Sequence, residues 1–244
     1  MSARMMKLPA LLPAMLFAAA AAAEGEGWHL SASRLVLETD RPSASVWFEN
    51  RSETPFMVTA AAASSDEAGR PAGRAEDVIV TPPAKLVGAH EKAAFKAVFI
   101  GDPREAGKGE EKLRYLRLHA VPGEKSGGRR GEGVSVSVST TSWLKIFLRP
   151  ARLRVRNAAE AAQLESVCRQ GRAVLRNASP YWLTVRSVRD AGIERIAQDA
   201  PAPMVAPGGE LAPESAACGR PISVRAIDDF GLSVSVAVRS GESR

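Results

Sequence analysis

The chain has 244 residues, of which 45% are hydrophobic, and this is enough for one large domain or two domains of about 100 residues each. Its net charge is +6, but the charges are interspersed and no Lys/Arg run alternates with aromatic residues, which argues against a nucleic-acid-binding protein. After the first 23 residues no apolar run is long enough to span a membrane, so we predict no stable membrane insertion.

Residues 1–23 have the organisation of a secretory signal peptide. Arg4 and Lys7 precede an apolar stretch at 8–22, and small residues end at Ala23, as a signal peptidase requires. An N-terminal membrane anchor is the alternative, but an apolar run of about 15 residues is short for a span. We therefore predict export of the chain, with cleavage near Ala23.

Residues 24–150 consist of short apolar or alternating segments separated by turn-forming residues, which is typical of strands. Asp66–Glu76 is polar and contains Pro and Gly, so we predict a loop there, and Gly123–Gly133 is a second predicted loop. The predicted strands of this half before residue 123 are Leu35–Leu37, Ala44–Glu49, Phe56–Ala60, Asp77–Thr81, Ala93–Ile100 and Leu113–Val121.

A long strand is predicted from residue 134 to residue 148, and it has two unlike faces. Val134, Val136 and Val138 alternate with serines, Lys145 lies within an apolar run, and Pro150 prevents the strand from continuing. We interpret it as an edge strand that can pair with another chain. The alternative is that the valines pack into the core of their own domain while the serines face water.

A second series of strands follows the predicted linker at 150–157 and is interrupted by a loop rich in Pro and Gly at 201–213. A helical turn is predicted within Ala158–Leu164. The predicted strands are Leu153–Val155, Ala173–Leu175, Trp182–Val185, Ile222–Ala226 and Leu232–Val238. The pattern predicts an all-β chain of two sandwiches, at 24–150 and 151–244, after the signal peptide at 1–23.

The two cysteines of the chain are Cys168 and Cys218. An even count in an exported protein indicates one disulfide. Closing a loop of this length would stabilise the fold by about 4 kcal/mol through chain entropy, before strain is subtracted. We expect a structural role for the bridge, because the spacing is not that of a redox motif.

The sequence contains no motif for catalysis or for a cofactor. Gly128–Gly133 has the wrong glycine spacing for a dinucleotide loop, and a strand follows it instead of a helix. Asp228 and Asp229 are adjacent, so on a strand they would point to opposite faces. The three histidines are scattered and no CxxC occurs, so no metal site is predicted. We therefore predict that the chain is not an enzyme and needs no cofactor or nucleotide.

Several short motifs, in the right order behind a signal peptide, resemble the periplasmic pilus chaperones of the chaperone–usher pathway. The resemblance covers most of the mature chain. It lies in Ser33–Val36, Trp47–Asn50, Asp77–Pro83, the strand that ends at Lys145–Pro150, Asn177–Tyr181 with Thr184 and Val185, and Ile227–Gly231. It implies two immunoglobulin-like sandwich domains set at an angle with a cleft between them, and a periplasmic location.

The resemblance also implies how the long strand works. It would complete a pilin subunit whose own immunoglobulin-like fold lacks its last strand, which is an established form of β-augmentation. Val134, Val136 and Val138 would enter the groove of the subunit, with Thr140 next in the series. Thr140 departs from the apolar residue that is usual in the family.

Five charged residues match functional positions of the family. Arg34 and Lys145 would anchor the C-terminal carboxylate of the subunit, and Glu111, Arg149 and Asp229 would form ion pairs between the two domains. The implied partners are pilin-like subunits and an outer-membrane usher, to which the subunits are delivered for assembly. Self-association of the free chain is one way in which the apolar strand could be covered.

Two other functions compete with the chaperone. An exported two-domain adhesin or structural fibre component would have the same sandwiches and signal peptide, but it would not need Arg34 and Lys145 to meet in a cleft. A secreted hydrolase on a β scaffold would instead need a pocket in which acidic or histidine side chains cluster.

Overall fold

The computed structural model describes residues 27–102, 109–123, 137–190, 192–196, 202–213 and 216–241. Ten strands belong to the first half of the chain. They are β1 (Trp28–Leu30), β2 (Arg34–Glu38), β3 (Ser43–Asn50), β4 (Phe56–Ser65), β5 (Pro71–Arg74), β6 (Val78–Thr81), β7 (Ala84–Val87), β8 (Lys92–Phe99), β9 (Lys112–Pro122) and β10 (Thr140–Arg149).

These strands form two sheets that enclose one apolar core. The first sheet has the order β1-β3-β8-β6, and the second has the order β2-β10-β9-β4-β5, with β7 also paired to β4. Alternate residues of the strands point inward because successive side chains of a strand lie on opposite faces. Val46 and Phe48 of β3 thus meet Phe95 of β8, and Leu116 of β9 and Ile146 of β10 close the core from the second sheet.

Eight strands form the second half. They are β11 (Gln163–Arg169), β12 (Arg172–Asn177), β13 (Leu183–Asp190), β14 (Ile193–Ile196), β15 (Met204–Val205), β16 (Glu210–Leu211), β17 (Ile222–Ile227) and β18 (Ser233–Ser240). They pair in the order β14-β13-β17-β18-β11-β12-β16, with β15 on β13, around a separate core that includes Leu164, Leu175, Val185 and Val224.

The all-β prediction with two immunoglobulin-like sandwich domains is confirmed, but several strands differ from their predicted positions. β5 lies inside the predicted loop Asp66–Glu76, because residues 63–65 of β4 pair with it across a turn. The strand predicted at Leu153–Val155 is wrong. Ala151–Leu153 instead form a 3₁₀ turn, in which Arg154 N donates to Ala151 O at 3.1 Å.

The connection between the two halves is short and hydrogen-bonded. After the 3₁₀ turn, Arg154 donates from Nε to Glu38 at 2.8 Å and also contacts Asp40. A single helical turn, α1 (Ala158–Ala161), follows, as the sequence predicted, and Asn157 caps it by accepting from Ala159 N at 3.1 Å. Cys168 and Cys218 form a disulfide, which joins β11 to the segment before β17.

Candidate functional site

Two basic residues meet where β2 and β10 first pair. The two strands run parallel, and Lys145 of β10 is the Cα partner of Arg34, the first residue of β2. Lys145 lies on the opposite face of β10 from Leu144 and Ile146, whose side chains fill the core, because faces alternate along a strand. The pairing therefore places two cations side by side on the outer face of the sheet.

Arg34 is buried and contacts both halves of the chain. Its Nη1 donates to the carbonyl oxygen of Ile227 at 3.0 Å, and its guanidinium lies 5.9 Å from the ring centroid of Phe147. Its Nε is buried without a hydrogen-bond partner. A buried guanidinium donor without an acceptor is costly, so this site gains free energy when an acceptor arrives.

Lys145 has no carboxylate partner among the residues that the structure describes. Burial, together with the charge of neighbouring Arg34, lowers the pKa of Lys145 to about 8. An anion placed between Lys145 and Arg34 would form charge-assisted hydrogen bonds with both and would oppose this shift. The chemistry of the pair therefore suits one small anion, and a carboxylate is such an anion.

Arg149, at the end of β10, is the centre of a buried ion-pair network. Only 2% of Arg149 is exposed, and its Nε donates to Glu111 at 2.8 Å. Its Nη1 and Nη2 donate to the two carboxylate oxygens of Asp229 at 2.9 and 3.0 Å. The structure therefore brings together the three residues that the sequence assigned to interdomain ion pairs.

Glu111 links this network to the backbone of the second half. Its second carboxylate oxygen accepts from Trp182 N at 2.9 Å, and Glu111 N donates to Pro180 O at 2.9 Å. Burial raises the pKa of Glu111 to about 7, although the charge of Arg149 opposes that rise. The ionised form of Glu111 in this buried site is therefore stabilised by the charge of Arg149 and by its hydrogen bond.

A second contact between the two halves is apolar and was not predicted from the sequence. Tyr115 and Phe147, on the outer face of β9 and β10, form a buried cluster against which Trp182 and Met204 pack. Gly69, in the β4–β5 turn, closes the contact, because a Cβ there would lie 2.6 Å from Cβ of Met204. No signal in the sequence distinguishes these residues from ordinary core positions.

Among the residues that the structure describes, no second strand pairs with the first half of β10. Residues 140–148 pair with β9, but β2 covers the other edge from Lys145 to Arg149. The prediction of a free edge from 134 to 148 is therefore wrong for 145–148, which are hydrogen-bonded on both sides. The reason is that the chain crosses to the second sheet after β1, so that β2 pairs with the end of β10.

The predicted donor residues are only partly within the described ranges. Thr140 begins β10 and is exposed, and Val138 precedes the strand with 72% of its surface exposed. The described strand therefore starts later than predicted. Val134 and Val136 lie outside the described residues.

Neither a metal site nor a membrane-spanning helix is found within the described ranges. In these ranges no group of three His, Cys, Asp or Glu side chains is placed to hold a metal ion. Nor does any helix in them have the length and apolar character needed to cross a membrane.

Comparison with known proteins identifies the family over nearly the whole described chain. Residues 27–154 match the family described as "Pili and flagellar-assembly chaperone, PapD N-terminal domain", and residues 158–237 match "Pili assembly chaperone PapD, C-terminal domain". The probable fimbrial chaperone protein ElfD of Escherichia coli K12 is 26% identical over 180 residues, which is 73% of each chain. The probable fimbrial chaperone SfmC of the same strain is 23% identical over 227 residues, covering 92% of this chain and 93% of that protein.

A solved structure has the same fold. It is the SafA pilin of Salmonella enterica in complex with the SafB chaperone, which matches with a TM-score of 0.68 and 20% identity over 87% of this chain and 95% of the matched chain. The two family matches together cover far more than half of the sequence. The chain therefore belongs to the pili assembly chaperones, a family of periplasmic chaperones.

Proposed function

We propose that this chain binds a pilin-like subunit by lending it the free half of β10 and holding its C-terminal carboxylate between Arg34 and Lys145. The observation that carries the proposal is that the free edge, Thr140–Leu144, ends at the two cations. A client strand can pair with this edge through the client's backbone. The two cations then supply the positive charge and hydrogen-bond donors for its C-terminal carboxylate.

The position of β2 fixes the direction of the client. β2 runs parallel to β10 and occupies its edge only from Lys145 onward. A client strand on Thr140–Leu144 therefore lies in line with β2 and meets it at Arg34. Its carboxylate can reach the cations only if the client also runs parallel to β10.

Each half of β10 then has its own role. Val138 and Thr140 lie at the open end and are proposed to enter the groove of the client, together with Val134 and Val136. Lys145 and Arg34 set the register, because the client chain ends at them. The network of Glu111, Arg149 and Asp229 is proposed to keep the two domains, at 24–150 and 151–244, at the angle that this cleft requires.

The rest of the proposal concerns location and delivery. Residues 1–23 are proposed to direct export and to be removed near Ala23, so that the chain works in the periplasm. The subunit would then be passed to an outer-membrane usher without a nucleotide or other cofactor. SafB, in complex with a pilin, supports the choice of a pilin-like client.

The test is retention of secreted subunits by the tagged chain. We expect Lys145→Ala to lower the affinity for a purified subunit by about 10- to 100-fold, since a charge-assisted hydrogen bond contributes roughly 1.5–3 kcal/mol. The matched control is Lys96→Ala, which removes an exposed lysine from β8 in the other sheet and should bind as wild type does.

A second comparison tests the carboxylate itself. A subunit that lacks its last residue still has a carboxylate, but one register step away, and should bind more weakly to wild type. Equal retention by wild type and Lys145→Ala, or equal binding of both subunit forms, would contradict the proposal.

A further inference from the structure

We propose that Phe230 and Leu232 form an apolar surface at the end of the client strand and select a client whose last residue is bulky and apolar. This inference rests on the proposed function and adds to it, since it concerns the terminal side chain of the client and not its carboxylate.

Phe230 and Leu232 are unusually exposed to solvent for large apolar side chains. Among the large apolar side chains of the described residues, the three most exposed are Val138 and Phe230, at 72% each, and Leu232, at 65%. Val138 precedes β10 at its open end, whereas Phe230 and Leu232 lie two residues apart in one turn. Neighbouring large apolar side chains that are exposed to solvent are typical of a binding surface.

The turn between β17 and β18, which carries Phe230 and Leu232, lies next to the cation pair. Ile227 O, at the end of β17, accepts from Arg34 at 3.0 Å. Gly231 faces Ser33, since a Cβ on Gly231 would lie 2.8 Å from Oγ of Ser33. Ser33 directly precedes β2, at the point where the client strand would end. Phe230 and Leu232 flank Gly231, so they lie next to that point.

The turn is also rigidly held. Asp228 is buried, and its Oδ1 accepts from Phe230 N at 2.9 Å and from Leu232 N at 2.7 Å. Asp228 N donates to Leu232 O at 2.8 Å, and Gly231 N donates to Asp228 O at 3.1 Å. These bonds involve the backbone of residues 230 and 232 and leave their side chains free to contact a ligand.

The charges around Phe230 and Leu232 indicate which ligand this surface binds. The nearby carboxylates are engaged within the protein, Glu111 and Asp229 by Arg149 and Asp228 by backbone amides, whereas Lys145 has no counter-ion among the described residues. A ligand that satisfies both features carries one carboxylate beside one apolar group. The C-terminal residue of a polypeptide with a large apolar side chain has this chemistry.

The experiment uses the full chain and three fluorescent peptides of alternating Val and Thr. One peptide ends in Phe with a free carboxylate, one ends in Ser with a free carboxylate, and one ends in Phe amide. By fluorescence anisotropy, wild type should bind the Phe peptide about five- to tenfold more tightly than the Ser peptide, because part of the ring is removed from water. It should bind the amide more weakly than either.

The variant Phe230→Ser/Leu232→Ser should bind the Phe and Ser peptides with affinities within about twofold, because the apolar contact is gone. Its preference for a free carboxylate over the amide should remain. The matched control is Ile193→Ser, which removes an apolar side chain that is 62% exposed at the opposite end of the second domain's strands and should behave as wild type does.

The results separate the two proposals. If the double variant keeps the preference for Phe, or if wild type never has it, the apolar surface is refuted while the carboxylate site stands. If wild type does not distinguish the free carboxylate from the amide, the carboxylate site itself is refuted. Loss of the Phe preference in the Ile193 control would show general hydrophobic adhesion and would also refute the proposal.

Discussion

At the scale of single residues, the cation pair would be stabilised by an anionic ligand. Arg34 keeps a buried Nε without an acceptor, and Lys145 lies beside it with a lowered pKa. Two adjacent cations without a shared anion repel each other, which is unfavourable for stability. Ionisable groups with such perturbed pKa values are typical of functional sites.

The pH dependence of binding tests this interpretation. The pKa of Lys145 is lowered to about 8, so its side chain carries a positive charge below pH 8 and loses that charge as the pH rises through this value. A bound carboxylate favours the charged form, so the affinity for a client should be constant at neutral pH and fall above about pH 8. Titration of client affinity from pH 6.5 to about 9.5 measures this.

Lys145→Arg is the control for this experiment. A guanidinium stays charged throughout the range, so this variant should lose much less affinity at alkaline pH than wild type does. Identical pH profiles for the two proteins would mean that Lys145 does not contact the anion.

At the scale of elements, β10 has two halves with different hydrogen bonding. Within the described ranges Thr140–Leu144 pairs with β9 alone, whereas Lys145–Leu148 lies between β9 and β2. An unpaired strand edge exposes backbone groups that another chain can use. We therefore expect different dynamics for two adjacent parts of one strand.

Hydrogen exchange measured by mass spectrometry tests this difference. In the free chain, amides of Thr140–Leu144 that point away from β9 should exchange quickly, and a client should slow them by about tenfold or more. Lys145–Leu148 should be protected in both states and is the internal control. Full protection of Thr140–Leu144 without a client would argue against a free edge.

The sequence predicted β10 from its alternation, its internal lysine and its final proline, but it did not predict where the free edge ends. That limit is set by β2, which contacts β10 from more than 100 residues away in sequence. Alternation reports which face of a strand is apolar, and it carries no information about which strand lies alongside. β5 was missed because its Pro and Gly are typical of loops, although pairing with β4 makes it a strand.

The same reasoning applies to the site residues. Lys145 stands out because it interrupts an apolar run, whereas nothing local separates Arg34 or Glu111 from the many other charged residues. These two were assigned only through resemblance to a family. The turn that carries Phe230 and Leu232 belonged to a recognised motif, but the exposure of its side chains depends on the fold.

At the scale of the whole molecule, the two domains are joined by a buried ion-pair network and by an apolar contact. The network connects Glu111, which directly precedes β9, and Arg149 of β10 to Asp229 and Trp182 of the second domain. The apolar contact places Trp182 and Met204 against the outer face of the same two strands. Phe147 of the apolar contact lies 5.9 Å from the guanidinium of Arg34. We propose that the geometry of the cleft depends on both contacts.

Arg149→Ala tests the network. The change leaves Glu111 and Asp229 without their partner in a buried site, and it should lower the free energy of unfolding by about 3–5 kcal/mol, as measured by urea denaturation. The control is Arg154→Ala, which removes an exposed ion pair with Glu38 and Asp40 and should hardly move the midpoint. Equal effects of the two variants would show that burial of the network does not matter.

Gly69→Ala tests the apolar contact. Its new Cβ would lie 2.6 Å from Met204 Cβ and 3.0 Å from Trp182, so the two domains should shift and client affinity should fall. Gly171→Ala is the control, because Gly171 has a similar φ, +77° against +71° at Gly69, but no atom within 4 Å of the new Cβ. The control should lose about 1–2 kcal/mol of stability through backbone strain alone and should retain client affinity. Equal client affinity of both variants would mean that the cleft tolerates a change at this contact.

The most direct test is a crystal structure of the chain with a subunit that it retains. We expect the last strand of the subunit to pair with Thr140–Leu144, parallel to β10. Its terminal carboxylate should lie within about 3 Å of Lys145 Nζ and of the Arg34 guanidinium. A subunit strand that runs antiparallel to β10, or a carboxylate that is bound away from these two residues, would contradict it.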